Sequence, residues 1–452
     1  MKIVIAGAGA VGTHLSKLLS TEHHDCVLID DDEERLESVD SNLDIMALNS
    51  SPTSIKTLKD AGVGSADLFV GVTRYESRNL TACAIAHALG AKKTVARIDN
   101  YEYMTPQAQK TFKDIGIDSV VYPEMLAAKD IISGLQMSWV RQRVDVHDGA
   151  LVLLGIKLRE GCEILNQPLK DLCGADDPYH VVAIKREGDT IIPGGFDVLK
   201  LHDLAYFMTT KDYIPYIRKI VGKEDYEDVR NVIVMGGGKT AVRTALTLPD
   251  NMNLKIIELS PHRCELLNQV LADTDTMVIH GDGRDLGLLD EEGIKHTQAF
   301  VALTGNAETN ILACLTAKKL GVRKTVAMIE NLDYVSMAES LDIGTIINKK
   351  TVAASHIFQM MMHADVRNLR SLMMVEADVA EFAAVEGSRV TKKPVKDLAL
   401  PTGMTIGGLM RDGKGMLVSG LTQILPGDSV MVFCHKHQLE KAEKYFKKPV
   451  FW

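Results

Sequence analysis

Short apolar, β-branched runs such as KIVIAG, CVLID, DLFVGVT and KTVARI alternate in the first part of the chain with segments of helical period such as VGTHLSKLLS and ESRNLTACAIAHALG. Runs apolar on both faces read as strands of a parallel sheet, and the 3.6-residue pattern between them as covering helices. The alternation therefore predicts a doubly wound βαβαβ unit. The same pattern returns in the second half. NLTACAIAHALGAKKTVARIDNYEY (Asn79 to Tyr103) aligns without gaps with NILACLTAKKLGVRKTVAMIENLDY (Asn310 to Tyr334), with more than half of the positions identical. Upstream, DAGVGSADLFVGVT matches EEGIKHTQAFVALT and sets Thr73 opposite Thr304; downstream, IGIDSVVYPEMLAAKDII matches LDIGTIINKKTVAASHIF.

Each large unit runs into a helical segment and then a smaller, strand-rich module. REGCEILNQPLKDL pairs with VEGSRVTKKPVKDL, so the small modules are duplicated too, and a Pro-Gly turn in ILPGDSVMVF separates short strands of the second. The expected fold class is α/β: two doubly wound parallel-sheet (Rossmann-like) domains, each followed by a small α+β lobe. The boundaries expected are 1–120 and 230–346 for the large domains, 121–145 and 347–372 for crossover helices, and 146–222 and 373–449 for the lobes, with VGKEDYEDVRN joining the halves. A length of 452 residues fits about three or four domains.

Each large unit opens with a glycine-rich corner between strand and helix. Gly7, Gly9 and Gly12 have G-x-G-x-x-G spacing: the first allows the tight turn, the second lets a pyrophosphate approach the backbone, and the third lets helix pack on strand. Backbone N–H groups of Gly7, Ala8, Gly9, Ala10, Val11 and Gly12 are then candidate phosphate donors at a helix start. Asp30 ends the next strand at the distance expected for the acid that holds a ribose, and a carboxylate there disfavours a 2′-phosphate. In the second copy Gly236, Gly237 and Gly238 make the turn, Lys239 and Thr240 open the helix, Ala241 replaces the third glycine, and Glu258 takes the place of the acid. Both corners predict binding of an NAD-like or adenosine ligand, and the competing reading is a plain turn.

Cations and loops distinguish the two copies. Arg97 stands opposite Met328, and Lys239 opposite Ala10, so each site has one cation at a different place. One cation suits a dinucleotide or diphosphate better than a triphosphate; NAD(H) is the cofactor expected first, with ATP or ADP as the alternatives, and the charge count does not rank these ligands at either site. The loop after the third strand reads ALNSSPTS, with Ser51, in one copy and VIHGDGRD, with Asp282, in the other. Asp282 suits a helix cap as well as a contact near the adenine. Arg97 equally fits a surface arginine holding a helix end, and Thr73 and Thr304 fit simple strand ends.

Composition narrows the class. A net charge of -9 argues against nonspecific nucleic-acid binding, which neutralises phosphates with an excess of Lys and Arg, and no nucleic-acid partner is expected. Seven scattered cysteines with no C-x-x-C spacing predict neither disulfides nor a zinc knuckle, and so a reducing, cytoplasmic setting. No signal peptide or membrane-spanning run is read. His23, His24, Cys434, His435 and His437 lack metal-ligand spacing. The methionine-rich FQMMMHADVRNLRSLMMV reads as helix packing or a subunit contact. The cationic end KHQLEKAEKYFKKPVFW reads as an amphipathic helix closing the last lobe, with Phe451 and Trp452 available to a partner.

Two copies of the GAGAVG, VLID, GVT and TVARI pattern, each followed by a PLKDL-type strand module, resemble the regulator-of-potassium-conductance family. The resemblance covers essentially the whole chain and is to its tandem form, the peripheral subunits of bacterial Trk potassium uptake systems. It implies a cytoplasmic regulatory protein at the inner face of the membrane, binding NAD(H) and adenine nucleotides, assembled as a homotetrameric ring beneath an integral-membrane potassium channel or transporter subunit (TrkH- or TrkG-like). It implies ligand roles for Gly7, Gly9, Gly12, Asp30, Thr73 and Arg97 at one site, and for Gly236, Gly238, Glu258, Asp282 and Thr304 at the other. The family often has an arginine where this chain has Ala10; Lys239 supplies that charge only in the second copy. The rival reading is an NAD-dependent dehydrogenase, which needs an acid or base beside the nicotinamide. The short duplicated lobes offer no His, Lys or Tyr constellation for that task, so no enzymatic activity is expected.

Overall fold

The computed structural model describes residues 1–20, 24–37, 39, 45–172, 178–361, 366–371, 377–435 and 438–448. His23, Cys173, His437, Phe451 and Trp452, on which expectations were placed, lie outside the described residues. The chain groups into two compact units, Met1–Ala127 with Asn348–Met362, and Ala128–Ile347 with His363–Trp452.

The first large domain runs β1 (Lys2–Ala6), α1 (Ala10–Ser20), β2 (Asp25–Asp30), α2 (Glu33–Glu37), β3 (Ile45–Asn49), α3 (Ile55–Asp60), β4 (Leu68–Gly71), α4 (Glu76–Ala88), β5 (Thr94–Arg97), α5 (Pro106–Asp114) and β6 (Ser119–Val121), followed by α6 (Pro123–Leu135). Its six strands are parallel in the order β3-β2-β1-β4-β5-β6. Ile3, Val4, Ile5 and Ala6 are all fully buried, as a central strand covered on both faces requires. The order reverses between β1 and β4, which opens a crevice at the carboxyl ends of these strands.

The first lobe consists of β7 (Gln142–Val146), β8 (Leu151–Lys157), α7 (Leu169–Leu172), β9 (Tyr179–Arg186), β10 (Asp189–Ile191), β11 (Leu204–Thr209) and α8 (Ile214–Ile220). Its sheet is antiparallel in the order β10-β9-β11-β8-β7. The second large domain repeats the first: β12 (Asn231–Met235), α9 (Lys239–Leu246), β13 (Asn253–Glu258), α10 (Pro261–Val270), β14 (Met277–His280), α11 (Leu286–Glu291), β15 (Ala299–Ala302), α12 (Ala307–Lys319), β16 (Lys324–Met328), α13 (Asp333–Ser340) and β17 (Thr345–Ile347), then α14 (Lys349–Met361). Its strand order, β14-β13-β12-β15-β16-β17, matches the first.

The second lobe comprises β18 (Val366–Ser371), β19 (Ala377–Ala383), β20 (Met404–Arg411), β21 (Lys414–Leu417), β22 (Ser429–His435) and α15 (Leu439–Phe446). Its order, β18-β19-β22-β20-β21, is the order of the first lobe read from the other edge. Inner faces of the two lobes share one core, with Leu153, Val182, Tyr206 and Met208 meeting Val379, Met431 and Phe433. Phe446 of α15 stacks on Phe382 at 4.9 Å between ring centroids.

One expectation changes. Of the methionine-rich stretch read as helix packing, the part within Lys349–Met361 is helical, while Val366–Ser371 pairs with β19 as a strand. The helix α14, which follows the second large domain in sequence, packs along α1 of the first. The six described cysteines are all buried thiols. Among the described residues no helix is long and apolar enough to cross a membrane.

Candidate functional site

At the carboxyl end of β1, Gly7 has φ +119, and a β-carbon there would stand 2.7 Å from the Thr73 nitrogen. The corner can turn only with glycine, and it turns directly against the end of β4. A β-carbon on Gly12 would lie 1.8 Å from the Gly7 carbonyl oxygen, so the third glycine is required for α1 to close on the corner. Gly9 differs: no atom of the described residues lies within 4 Å of a β-carbon built there. Internal packing does not demand this glycine. Asp30 is buried, with Oδ2 accepting from the Ala8 N–H (2.6 Å) and Oδ1 from the Asp32 N–H (3.0 Å). Each oxygen retains a lone pair that can accept a further hydroxyl.

The second corner repeats this arrangement with different side chains. Gly236 has φ +99 and its β-carbon would meet the Thr304 nitrogen at 3.1 Å. Glu258 accepts from the Gly237 N–H (2.7 Å) and the Ser260 N–H (2.9 Å), the same two contacts made by the longer acid. Gly238, like Gly9, has open space where a β-carbon would point. Ala241 is fully buried at the third position, so this helix start accommodates a methyl that the first does not. Lys239 opens α9 on the exposed side, as Ala10 opens α1, while Val11 and Thr240 are both turned inward.

Across the crevice, Thr73 and Thr304 are more than strand ends. The side-chain oxygen of the buried Asn79 accepts from both the N–H (2.8 Å) and the hydroxyl (2.7 Å) of Thr73, and its amide donates to the carbonyls of Thr73 (3.0 Å) and Arg97 (2.9 Å). Asn310 makes the same four bonds to Thr304 and Met328. These clamps fix the tips of adjacent strands where the crevice opens. Arg97 donates to the Thr73 carbonyl (3.4 Å) and to Asp99 (3.2 Å), and its buried Nε has no hydrogen-bond partner among the described residues. Among the described residues its hydrogen bonds go to the end of β4 and to Asp99.

The loops after the third strands complete the rim. Ser51 bonds to the Thr53 hydroxyl (3.0 Å), and Ser54 caps α3. In the second domain Asp285, matching Ser54, caps α11, so the cap expected of Asp282 is made three residues later. Asp282 is instead gripped in a fork by Arg284 (2.7 and 3.0 Å), whose guanidinium and backbone N–H hold its carboxyl below the ordinary range. Ser51 and Asp282 thus occupy corresponding places, tied to the acid-bearing strand through Ser50 N–H to the Asp30 carbonyl (2.8 Å) and Gly281 N–H to the Glu258 carbonyl (3.0 Å).

Sequence reasoning missed three paired features. Arg263 donates from Nε to the Gly237 carbonyl (2.8 Å), and Arg35, its counterpart, lies 3.8 Å from Asp30. Each follows its acid by five residues, a regularity visible in the repeat. The Asn79 and Asn310 clamps were likewise visible as identities without a role. In the lobes, Arg186 forks onto the buried Asp203 and Arg411 onto the buried Asp428, each also donating to a nearby carbonyl.

Two Rossmann domains with glycine corners, each coupled to an antiparallel lobe, define a tandem two-lobed nucleotide-fold protein. The TrkA-N domain model matches residues 3–123 and 232–349, and the TrkA-C domain model matches residues 379–447. The chain belongs to the TrkA family. The first lobe falls outside the TrkA-C match, yet its strand order assigns it the same topology. A Trk system potassium uptake protein TrkA homolog of Archaeoglobus fulgidus is 30% identical over 99% of this chain and 100% of its own. The Trk system potassium uptake protein TrkA of Azorhizobium caulinodans is 28% identical over 99% of each. In fold, the chain resembles the GsuK RCK domain (TM-score 0.60, 15% identity, 98% of this chain and 94% of that one) and the GsuK channel bound to NAD (TM-score 0.58, 15% identity, 98% and 78%).

Proposed function

We propose that both corners bind an adenine nucleotide, with NAD(H) ahead of ATP or ADP, and that the chain is the regulatory subunit of a potassium uptake system. The observation that carries this is the open space at Gly9 and Gly238. Each corner keeps a glycine that its own packing does not need, beside a carboxylate held in place by backbone N–H groups. That is the arrangement required where a pyrophosphate approaches a helix start and a ribose meets an acid. The relatives named as Trk potassium uptake proteins support the physiological setting, and the NAD-bound GsuK channel shows that a protein of this fold holds such a ligand.

In this reading Gly7, Ala8, Gly9, Ala10, Val11, Gly12, Asp30, Ser51, Thr73 and Arg97 form the first site. Gly236, Gly237, Gly238, Lys239, Thr240, Glu258, Asp282 and Thr304 form the second. The corner N–H groups hold the phosphates, the acids hold ribose, and the residues act by binding alone. Occupancy biases a homotetrameric ring at the cytoplasmic face of the membrane, which transmits the bias to a TrkH- or TrkG-like channel subunit. A ligand does so only through different affinities for two ring states. Calorimetric titration with NAD, NADH, ATP and ADP, paired with potassium flux through the co-reconstituted partner, tests both halves. Two saturable nucleotide sites per chain and ligand-dependent flux are expected, with no hydride transfer from hydroxy or amino acids to NAD by absorbance. Flux indifferent to every nucleotide would remove the regulatory reading.

A further inference from the structure

Away from both corners, one end of the first lobe carries an excess of positive charge against the second large domain, within the second compact unit. Lys157 of β8 and Lys185 of β9 stand in register on either side of Leu204 of β11. Arg141 and Arg159 flank this row, and Lys318 reaches it from the last turn of α12. Two carboxylates answer these five cations. Asp342 pairs with Arg141 (2.7 Å), Arg159 and Lys318 (3.1 Å), and Glu339 pairs with Lys185 (2.5 Å). Asp203, also close to Lys157, is already forked by Arg186.

Lys157 is left over. Its half-buried ammonium has no hydrogen-bond or ion-pair partner among the described residues. The C-terminal end of α13 contributes a partial negative charge of about half a unit, far short of the imbalance. Burial lowers the affinity of Lys157 and Lys318 for their protons, Asp342 draws it part of the way back, and Arg141 and Arg159 oppose that attraction. Lys324, fully buried beside them, is pushed down to about 7 by burial and by Arg141. A chain that concentrates mutually repelling cations in a half-buried seam is poised for a counter-charge it does not itself supply.

We propose that Lys157, Arg159 and Arg141 form an anion site, separate from the glycine corners, for a phosphate-class oxyanion of at least two negative charges. Arg141 and Arg159 each donate to Asp342 through one terminal nitrogen and keep further guanidinium N–H donors of the kind phosphate oxygens prefer, and Lys157 adds an unshared point charge. Because Arg141 and Arg159 belong to the lobe segment while Asp342 and Lys318 belong to the large domain, an anion here would brace the one against the other. The ligand is either free inorganic diphosphate or the diphosphate portion of a nucleotide.

Inorganic diphosphate and ADP are titrated by calorimetry into the full chain, into Lys157→Gln and Arg159→Gln, and into a Gly9→Val/Gly238→Val variant that blocks the corners. The corner-blocked chain is expected to retain one diphosphate site, and adding Lys157→Gln should weaken it at least tenfold. ADP binding to the corner-blocked chain, equally sensitive to Lys157→Gln, would assign the nucleotide as source; diphosphate binding alone would assign the free anion. Thermal midpoints without ligand guard against a folding defect, and Lys157→Gln, which relieves repulsion, should not lower its midpoint. No diphosphate binding in the corner-blocked chain, or binding indifferent to Lys157 and Arg159, overturns the site. Neither result bears on the corners themselves, which the nucleotide titrations test independently.

Discussion

A β-carbon on Gly12 would sit 1.8 Å from the carbonyl oxygen of Gly7, so the first turn of α1 rests directly on the glycine corner that precedes it. The contact is to backbone, which cannot swing aside. Gly12→Ala should therefore force the helix off the strand, lowering the unfolding free energy of the first unit by about 1–3 kcal/mol, the usual range for overpacking. Nucleotide binding at the first corner should weaken with it. Ala241→Gly at the matching position of the second corner should preserve nucleotide binding, since the chain there already accepts a methyl. Urea denaturation and calorimetry on both variants check the asymmetry.

Gly9 and Gly238 predict the opposite separation of stability from binding. Gly238 has φ -68, which any residue adopts, and a β-carbon at either position would meet no atom of the described residues within 4 Å. Gly9→Ala and Gly238→Ala should alter stability by no more than about 0.5 kcal/mol. Each methyl nonetheless occupies the line of approach of a pyrophosphate, so each should reduce nucleotide affinity at its own corner by about tenfold or more. A large loss of stability with unchanged binding would show that these glycines serve the fold.

Asn79 and Asn310 each make four hydrogen bonds from a buried side chain, and these bonds join the ends of two strands. Replacing either by Ala leaves backbone groups of Thr73 and Arg97, or of Thr304 and Met328, without partners in a buried setting. The expected loss is on the order of 2–4 kcal/mol, from unmade buried hydrogen bonds. Hydrogen exchange should show the loss concentrated at the end of β4 or β15.

The repeat, the alternation of strand and helix, and both corners were legible because each rests on local chemistry: a period, a turn that needs glycine, an acid at fixed spacing. Asp282 and Asp285 show where local chemistry ends. Both are good capping residues three positions apart, and only the register of α11 decides which of them caps it. The methionine-rich stretch misled for a similar reason, since its pattern suits a helix or a strand and pairing with β19 chose the strand over Val366–Ser371. Nothing local announces the cluster at Asp342. Its members come from β8, β9, α12, the segment before β7 and the turn after α13, and only the fold brings them together.

Asp342 gives the first pH dependence. Burial alone would raise its carboxyl, but Arg141, Lys318 and Arg159 hold it down to about 2, against 3.8 for the ordinary group. A folded-state value below the unfolded one means that the carboxylate contributes stability above about pH 4, and that this is lost as pH falls toward 2. The contribution at neutral pH is on the order of 2 kcal/mol, at about 1.4 per pH unit of displacement. Asp342→Asn should be less stable than the wild type at pH 7, with the difference narrowing between pH 4 and 3 in urea titrations. A difference that stays constant through that window would mean the ion pairs contribute nothing net.

Lys324 gives the reverse case at the alkaline side. It is fully buried, donates to the Val140 carbonyl (2.5 Å) and the Thr345 hydroxyl (3.1 Å), and is pushed from 10.5 down to about 7 by burial and by Arg141. Between those two values the unfolded chain binds a proton that the folded chain does not. Stability therefore falls as pH drops from about 10.5 to about 7 and levels off below, where both states are charged. A Lys324→Met variant carries no such penalty, although it abandons two hydrogen bonds. Losing those bonds shifts its stability by an amount nearly independent of pH, so the informative quantity is the slope. Relative to the wild type, Lys324→Met should gain stability as pH is lowered from 10 to 7, by up to a few kcal/mol at about 1.4 per unit, and gain nothing further below 7. Denaturation curves at pH 6, 7, 8 and 9 read this directly. A flat difference across that range would show that Lys324 keeps its proton in the folded chain, and that the seam accommodates one more cation than its burial suggests.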